Sequence, residues 1–365
     1  MFLDTALWLR ALLAIIAGIA VSFAATPIVK SFAQKVGAMD VPTEARRVHD
    51  HPIPRMGGLA IFLGFIVSVF LFVDITRQMR GILLGAVVIA ACGAIDDVVS
   101  LKAWVKLIIQ IFAAVIAVMH GVVIEVLRSP NLMNENEYLF LGALAIPVTI
   151  IWIVGITNSV NLIDGLDGLA VGVSTIASIT MFVAALLVSE GNVAVILAAL
   201  MGACIGFMPY NLNPAKIFMG DTGALLLGYV LSTVSVVGMF KFYAIFTFVI
   251  PLLALALPLF DTLFAIIRRL IRHQSPMHPD RGHLHHRLID MGLNQKQAVA
   301  VLYSVSAVLG LCAVVLATTG ATRMILLGIA LAAAVIVGLF ITKMLKGHEY
   351  HPPVDPEGVE NEQKN

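Results

Sequence analysis

Residues 158–188 read NSVNLIDGLDGLAVGVSTIASITMFVAALLV. From Leu169 onward the stretch is uncharged and about twenty residues long, which is the length a helix needs to cross the hydrocarbon core of a bilayer. Ahead of it stand Asn158, Asn161, Asp164 and Asp167, crowded between this apolar run and the one before it. The fold therefore reads as a membrane helix with a polar knot at its edge.

The rest of the chain repeats the pattern. Of the 365 residues, 60% are hydrophobic and 12% charged, against roughly a quarter charged in soluble domains. Apolar runs recur at Ala11–Val29, Gly57–Val73, Gly81–Ile95, Trp104–Met119, Leu139–Val160, Leu169–Val188, Val193–Phe207, Ala224–Met239, Phe242–Ile267, Ala298–Thr318 and Met324–Thr342. An all-α, polytopic integral membrane protein of about eleven spans is expected, because helices satisfy their backbone groups where no water is available. Residues 1–346 read as one transmembrane domain, and the polar, Pro-containing residues 347–365 as a disordered tail. Ser22, Phe23 and Ala24 resemble a signal cleavage site, but no basic segment precedes the first run, so it reads as an anchor.

Net charge is only +1, and nothing points to a nucleic-acid partner. Cys92, Cys204 and Cys312 lack metal spacing and read as small core residues. The placement of the basic residues is more informative than their sum. Assigning alternate loops to opposite sides leaves only Arg10, Arg77, Arg80, Arg128, Lys241 and Arg323 on one side and gathers the other Lys and Arg residues on the second. The positive-inside rule makes the richer side cytoplasmic, with the N-terminus outside and the C-terminus inside.

Five loops on that side carry unusual polar residues: VHDHPIPRMGG (48–58), ACGAIDDVVSLKAWVK (91–106), the opening stretch, PYNLNPAKIFMGDTGAL (209–225) and HPDRGHLHHRL (278–288). Acidic residues at a membrane edge are functional candidates because an unsolvated, unpaired carboxylate is costly there. A single one reads equally as a solvated helix end. Five on one side, Asp96, Asp97, Asp164, Asp167 and Asp221, repel one another and ask for a cation. If the second half of NSVNLIDGLDGL (158–169) is helical, Asp164 and Asp167 share a face. Oxygen donors without a thiolate favour Mg2+, then Mn2+. Magnesium commonly accompanies phosphates, which Arg281 and Arg287 suit as bidentate partners and Lys102 and Lys106 as point charges. The run His278, His283, His285 and His286 has zinc as its alternative reading, but the arginines around it fit phosphate binding better. No GxxxxGKS/T motif occurs. The glycines at 57 and 58 suggest close backbone approach, and Asp261, inside the ninth run, reads as structural or supporting.

In this order and in alternate loops, DDVVSLKAWVK, NSVNLIDGLDGLA, YNLNPAKIFMGDTGAL and HPDRGHLHHRL resemble the bacterial polyprenyl-phosphate N-acetylhexosamine-1-phosphate transferases, and residues 41–62 resemble that family's first cytoplasmic loop. The resemblance covers roughly residues 7–340. It implies attack by undecaprenyl phosphate on the β-phosphorus of a UDP-N-acetylhexosamine, releasing UMP. It further implies that Asp96 and Asp97 deprotonate or orient the lipid phosphate, with Asp96 the expected base, and that Asp221 holds Mg2+ beside Asn161 and Asp164. Asp167, Asn211 and Phe218 are expected at the uracil, Lys106 near the lipid phosphate, and Arg281, His283, His285 and His286 at the diphosphate. A covalent aspartyl-phosphate is the rival mechanism.

The last loop, with Leu284 interrupting its histidines, is similar to the branch that uses UDP-N-acetylglucosamine, most of all to Gram-positive teichoic-acid initiators. The muramoyl-pentapeptide branch is the nearest alternative. An ion-coupled transporter would place its charges near the bilayer midplane, and a binding scaffold gives no reason for the acidic cluster. A multi-pass protein of the bacterial plasma membrane is expected, with a homodimer as the assembly the resemblance suggests.

Overall fold

The structure, a computed structural model, describes residues 5–41, 51–128, 138–238, 249–271, 282–318 and 320–346. Its helices run up and down through one bundle: α1 (Thr5–Val36), α2 (Gly58–Phe72), α3 (Arg77–Val99), α4 (Ala103–Met119), α5 (Ala145–Leu162), α6 (Leu169–Leu187), α7 (Gly191–Asn211), α8 (Gly220–Gly238), α9 (Val249–Ala254), α10 (Ala256–Ile271), α11 (Leu284–Asp290), α12 (Gln295–Ala317) and α13 (Gly320–Lys346). Among the described residues, eight helices (α1, α3, α5, α6, α7, α8, α12 and α13) are long and apolar enough to cross a membrane, and α2 and α4 are shorter apolar helices. The chain is an all-α polytopic membrane protein.

The core forms around α7 and α8, whose sides are buried almost throughout. Helix α1 lies against α7 through small residues: a Cβ on Gly18 would stand 2.8 Å from the Ala199 carbonyl, and Gly202 and Gly206 meet the backbone of Ile15 and Ile19. Small faces of this kind give helices dispersion contact where the surrounding lipid supplies no hydrophobic drive. Between α2 and α8, Gly58 and Gly223 bring the two backbones together in the same way. Elsewhere the surface stays greasy, with Ile151, Phe260, Phe264 and much of α13 exposed as lipid-facing side chains would be.

Three expectations are corrected. The run Leu139–Val160 is not one helix, because Val126–Arg128 (β3) and Tyr138–Phe140 (β4) pair as an antiparallel hairpin and α5 starts only at Ala145. Apolar content alone does not separate such a strand from a span. The ninth run, whose residues 242–248 lie outside the described ones, is broken at Leu255 between α9 and α10; Pro258 has no N–H to offer the Ala254 carbonyl. Finally, residues 163–168 form a turn rather than helix, with Gly168 at φ +78° ahead of α6. Tail residues 347–365 and Arg281 also lie outside the described residues.

At one end of the bundle, the end of α1 leads into β1 (Met39–Asp40), which pairs with β2 (Ile53–Pro54). The segment after β2 is stitched to the entry of α8: Phe218 N–H donates to the Pro54 carbonyl, Gly57 N–H to Phe218 and Gly58 N–H to Met219. These bonds carry the first loop onto the polar residues at the ends of α3, α5 and α7.

Candidate active site

At that end a cavity of about 780 Å³ opens, and Asp97, Lys106, Asn161, Asp164, Asp167, Asn211, Phe218, Asp221 and His286 are all in its wall. The loops after α3, α5 and α7 and the helix α11 thus converge as the sequence suggested.

Its centre is an ammonium between two carboxylates. Lys106 Nζ lies 2.9 Å from Asp96 Oδ2 and 2.7 Å from Asp221 Oδ2, and Asn161 Nδ2 donates to the other Asp221 oxygen at 2.8 Å. Charge-assisted bonds of this length are among the stronger ones in proteins. Asp96 also accepts from Leu101 N–H across the α3–α4 turn. Asp96 is buried and stands behind Lys106 rather than in the cavity wall.

Asp97 is committed elsewhere. Its carboxylate accepts from Asp221 N–H, Thr222 N–H and the Thr222 hydroxyl, so it caps α8 and meets the positive end of that helix dipole. Gly220 makes the approach possible: it sits at φ +71°, and a Cβ there would stand 2.5 Å from an Asp97 oxygen. From the opposite side Arg55 Nε donates to the Asp97 carbonyl at 2.9 Å.

Asp164, half-buried in the turn after α5, accepts no hydrogen bond from a described residue. Burial, with the charges of Asp221, Asp97 and Asp167 around it, pushes its carboxyl up to about 8. Asp167 accepts from Asn213 Nδ2 and Ala215 N–H, and Asn213 reaches on to Gln295. Asn211 Nδ2 donates to the Ile217 carbonyl, and its buried Oδ1 has no partner among the described residues.

The histidines divide. His286 faces the cavity, whereas His283 and His285 are buried away from its wall. His283 Nδ1 is 2.8 Å from Asp261 Oδ2, and the second Asp261 oxygen accepts from Leu284 N–H. His285 packs on Gly165 and stacks parallel to His283. Burial, with His286 and His283 adding to it, drives the His285 imidazole down to about 3, so it is neutral. Of the histidine run, His278 lies outside the described residues, and among the described residues no three His, Cys, Asp or Glu side chains come together as a metal-holding group.

For Mg2+ the fit is of another kind. Asp164 and Asp221 are hard oxygen donors on one cavity, and burial, joined by the charges of Asp221, Asp97 and Asp167, raises the Asp164 carboxyl. Two protein carboxylates suit an ion that keeps several waters and shares phosphate oxygens.

Residues 79–239, which hold Asp96, Asp97, Lys106, Asn161, Asp164, Asp167, Asn211, Phe218 and Asp221, match the model of glycosyl transferase family 4. The chain is 44% identical to the probable undecaprenyl-phosphate N-acetylglucosaminyl 1-phosphate transferase of Bacillus subtilis (strain 168), over 84% of this chain and 85% of that one. The chain belongs to glycosyl transferase family 4. Another relative in the family is the decaprenyl-phosphate N-acetylglucosaminephosphotransferase of Mycobacterium tuberculosis (strain ATCC 25618 / H37Rv), 35% identical over 94% of this chain and 91% of its own. The phospho-N-acetylmuramoyl-pentapeptide-transferase of Staphylococcus aureus (strain MSSA476) is 31% identical, over 71% and 83%.

Arg55, Asn213, Thr222 and Gln295, which bond to one another or to residues of the cavity, are not singled out by the sequence as site residues. Arg55 and Asn213 stand inside the motif stretches already quoted, and only the fold shows which neighbours they hold.

Proposed function

We propose that the chain transfers N-acetylglucosamine 1-phosphate from UDP-N-acetylglucosamine to undecaprenyl phosphate, giving the lipid-diphosphate sugar and UMP. An oxygen of the lipid phosphate forms the new bond to the β-phosphorus, and the bond from that phosphorus to the UMP oxygen breaks. The observation that carries the proposal is Lys106, held between Asp96 and Asp221 in a cavity that also exposes Asp164, Asp167 and Asn161. The relatives in Bacillus subtilis and Mycobacterium tuberculosis, named for moving N-acetylglucosamine phosphate to a polyprenyl phosphate, support the transferred group and the acceptor class.

The gathering of basic side chains at the site end supports a cytoplasmic face, with the N-terminus outside and the C-terminus inside. Residues 1–346 form the catalytic domain in this reading, in a bacterial plasma membrane, and the step is the first membrane reaction of wall teichoic acid or a related surface polysaccharide.

Phosphoryl transfer asks chiefly for alignment and charge neutralisation. A phosphate monoester with a second pKa near 6 arrives at neutral pH with an unprotonated oxygen, so orienting it matters more than removing a proton. Lys106 orients that oxygen, Asp96 holds the Lys106 ammonium from behind, and Asp97 fixes the start of α8 so that Asp221 faces the cavity. Mg2+, held by Asp221 and Asp164, would neutralise diphosphate charge in the transition state. His286 stands at the cavity wall for the diphosphate, its ring against His285, which in turn stacks on the His283 of the His283–Asp261 pair.

The test is UMP release by purified protein with undecaprenyl phosphate, with and without Mg2+, from UDP-N-acetylglucosamine and separately from UDP-muramoyl-pentapeptide. Metal-dependent UMP from the first donor is expected. UMP from the second donor alone would move the protein to the peptidoglycan branch, and none from either would overturn the transferase reading.

A further inference from the structure

The cavity lining includes Lys106, Asp221 and Asp164, and also the amides Asn213 and Gln295, the Asp167 carboxylate bonded to Asn213, and Phe218. The amides are ordered by a chain of hydrogen bonds. Asp167 is an acceptor only, so it must face the Asn213 NH2, and Asn213 Nδ2 donates to it at 2.9 Å. The same NH2 donates its second hydrogen to Gln295 Oε1 at 2.7 Å. With its oxygen taken, Gln295 has one polar group left, the Nε2 donor, and this has no acceptor among the described residues. The Asp167 carboxylate thereby dictates, through Asn213, that Gln295 presents an N–H to the cavity.

Gln295 is not needed to start its helix. The N-terminus of α12 is closed by a capping box between Asn294 and Gln297, which leaves the intervening side chain available for the cavity it lines.

We propose that Gln295 is a specificity-determining residue that reads the pyrimidine of the nucleotide by donating to O4 of uracil, with Asn213 as the positioning residue that fixes its polarity. The inference rests on the UDP-sugar reading and adds the group that separates uracil from cytosine. Cytosine carries an amino donor where uracil carries O4, and two donors facing each other at a desolvated site leave both unpaired.

The experiment measures UMP and CMP as competing ligands of the full-length detergent-solubilised enzyme, wild type against Gln295→Leu and Gln295→Glu. Wild type is expected to prefer UMP. Gln295→Leu lowers UMP affinity about tenfold, the usual weight of one buried hydrogen bond, and CMP affinity less. It also raises KM for UDP-N-acetylglucosamine more than it lowers kcat. Gln295→Glu places an acceptor where the donor stood and shifts the preference toward CMP. Variants that keep the wild-type UMP-to-CMP ratio overturn the Gln295 assignment, even where kcat falls. A wild type that binds UMP and CMP equally overturns the uridine reading together with it.

Discussion

The backbone N–H of Asp221 donates to the side chain of Asp97 at 3.0 Å, so the acidic residue at the end of α3 closes the helix that carries the acidic residue at the cavity. Asp97 binds the start of α8 through three donors, and its own carbonyl is held by Arg55. Asp97→Asn would turn an NH2 toward at least one of those donors. Leaving a buried donor unpaired costs about 1–3 kcal/mol. We expect a lower thermal midpoint in detergent together with a loss of turnover of about 100-fold or more, as misplacing Asp221 by even an ångström would cause. A variant with unchanged midpoint and full turnover would show that the cap does not position Asp221.

Lys106 neutralises Asp96 and Asp221 together. Lys106→Met leaves two carboxylates facing each other without their shared cation, and turnover should fall by about two to three orders of magnitude, the usual effect of removing one preorganised electrostatic partner. Lys106→Arg should rescue poorly, because a planar fork does not replace a point charge between two oxygens. In the double variant Lys106→Met with Asp96→Asn, stability should recover while activity does not. Initial-rate kinetics and thermal unfolding on the same preparations separate the two effects.

Much of this centre was legible in the sequence because charge at the edge of an apolar run is conspicuous. Asp96, Asp97, Asn161, Asp164, Asp167 and Asp221 each stand at such an edge, and the fold brings them to one end of the bundle. What depends on long-range backbone pairing was hidden: nothing local says that Pro54 and Gly57 bond to Phe218, or that Asn213 joins Asp167 to Gln295. The histidines show a different limit. His285 and His286 are adjacent, but neighbours on a helix point about 100° apart, so one meets the cavity while the other packs on Gly165. Proline 258 and the hairpin at 126–140 escaped because hydrophobicity reports burial or lipid contact and not backbone conformation.

The raised Asp164 carboxyl predicts proton release on metal binding. Without a cation it holds its proton up to about pH 8, whereas the ordinary value is 3.8. The folded state therefore binds a proton between those values that the unfolded state has lost. This stabilises the folded protein at low pH, and the contribution disappears as pH rises through 8. A divalent cation requires the ionised carboxylate. Titration with Mg2+ near pH 7 should then release close to one proton per site, less as pH passes 8, measured calorimetrically in buffers of differing ionisation enthalpy. In Asp164→Asn the release should vanish. Equal release in wild type and variant would place the titrating group elsewhere.

His285 predicts the opposite slope at the last loop. Folded, it stays neutral down to about pH 3, while unfolded it takes up a proton below its ordinary 6.5. Between those values the unfolded state binds more protons, so stability is full above about 6.5 and is lost progressively as pH falls below it. The effect should be local first, because α11 is a short helix tied down by Asp261, Gly165 and the histidine stack. Amide exchange across residues 283–290 should quicken between pH 7 and pH 5, after correction for intrinsic rates, while the exchange of α7 and α8 stays slow. His285→Leu removes the titrating group but keeps an apolar body against Gly165, and it should flatten that pH dependence. If exchange in this segment has the same pH profile in wild type and variant, protonation of His285 is not what loosens the loop.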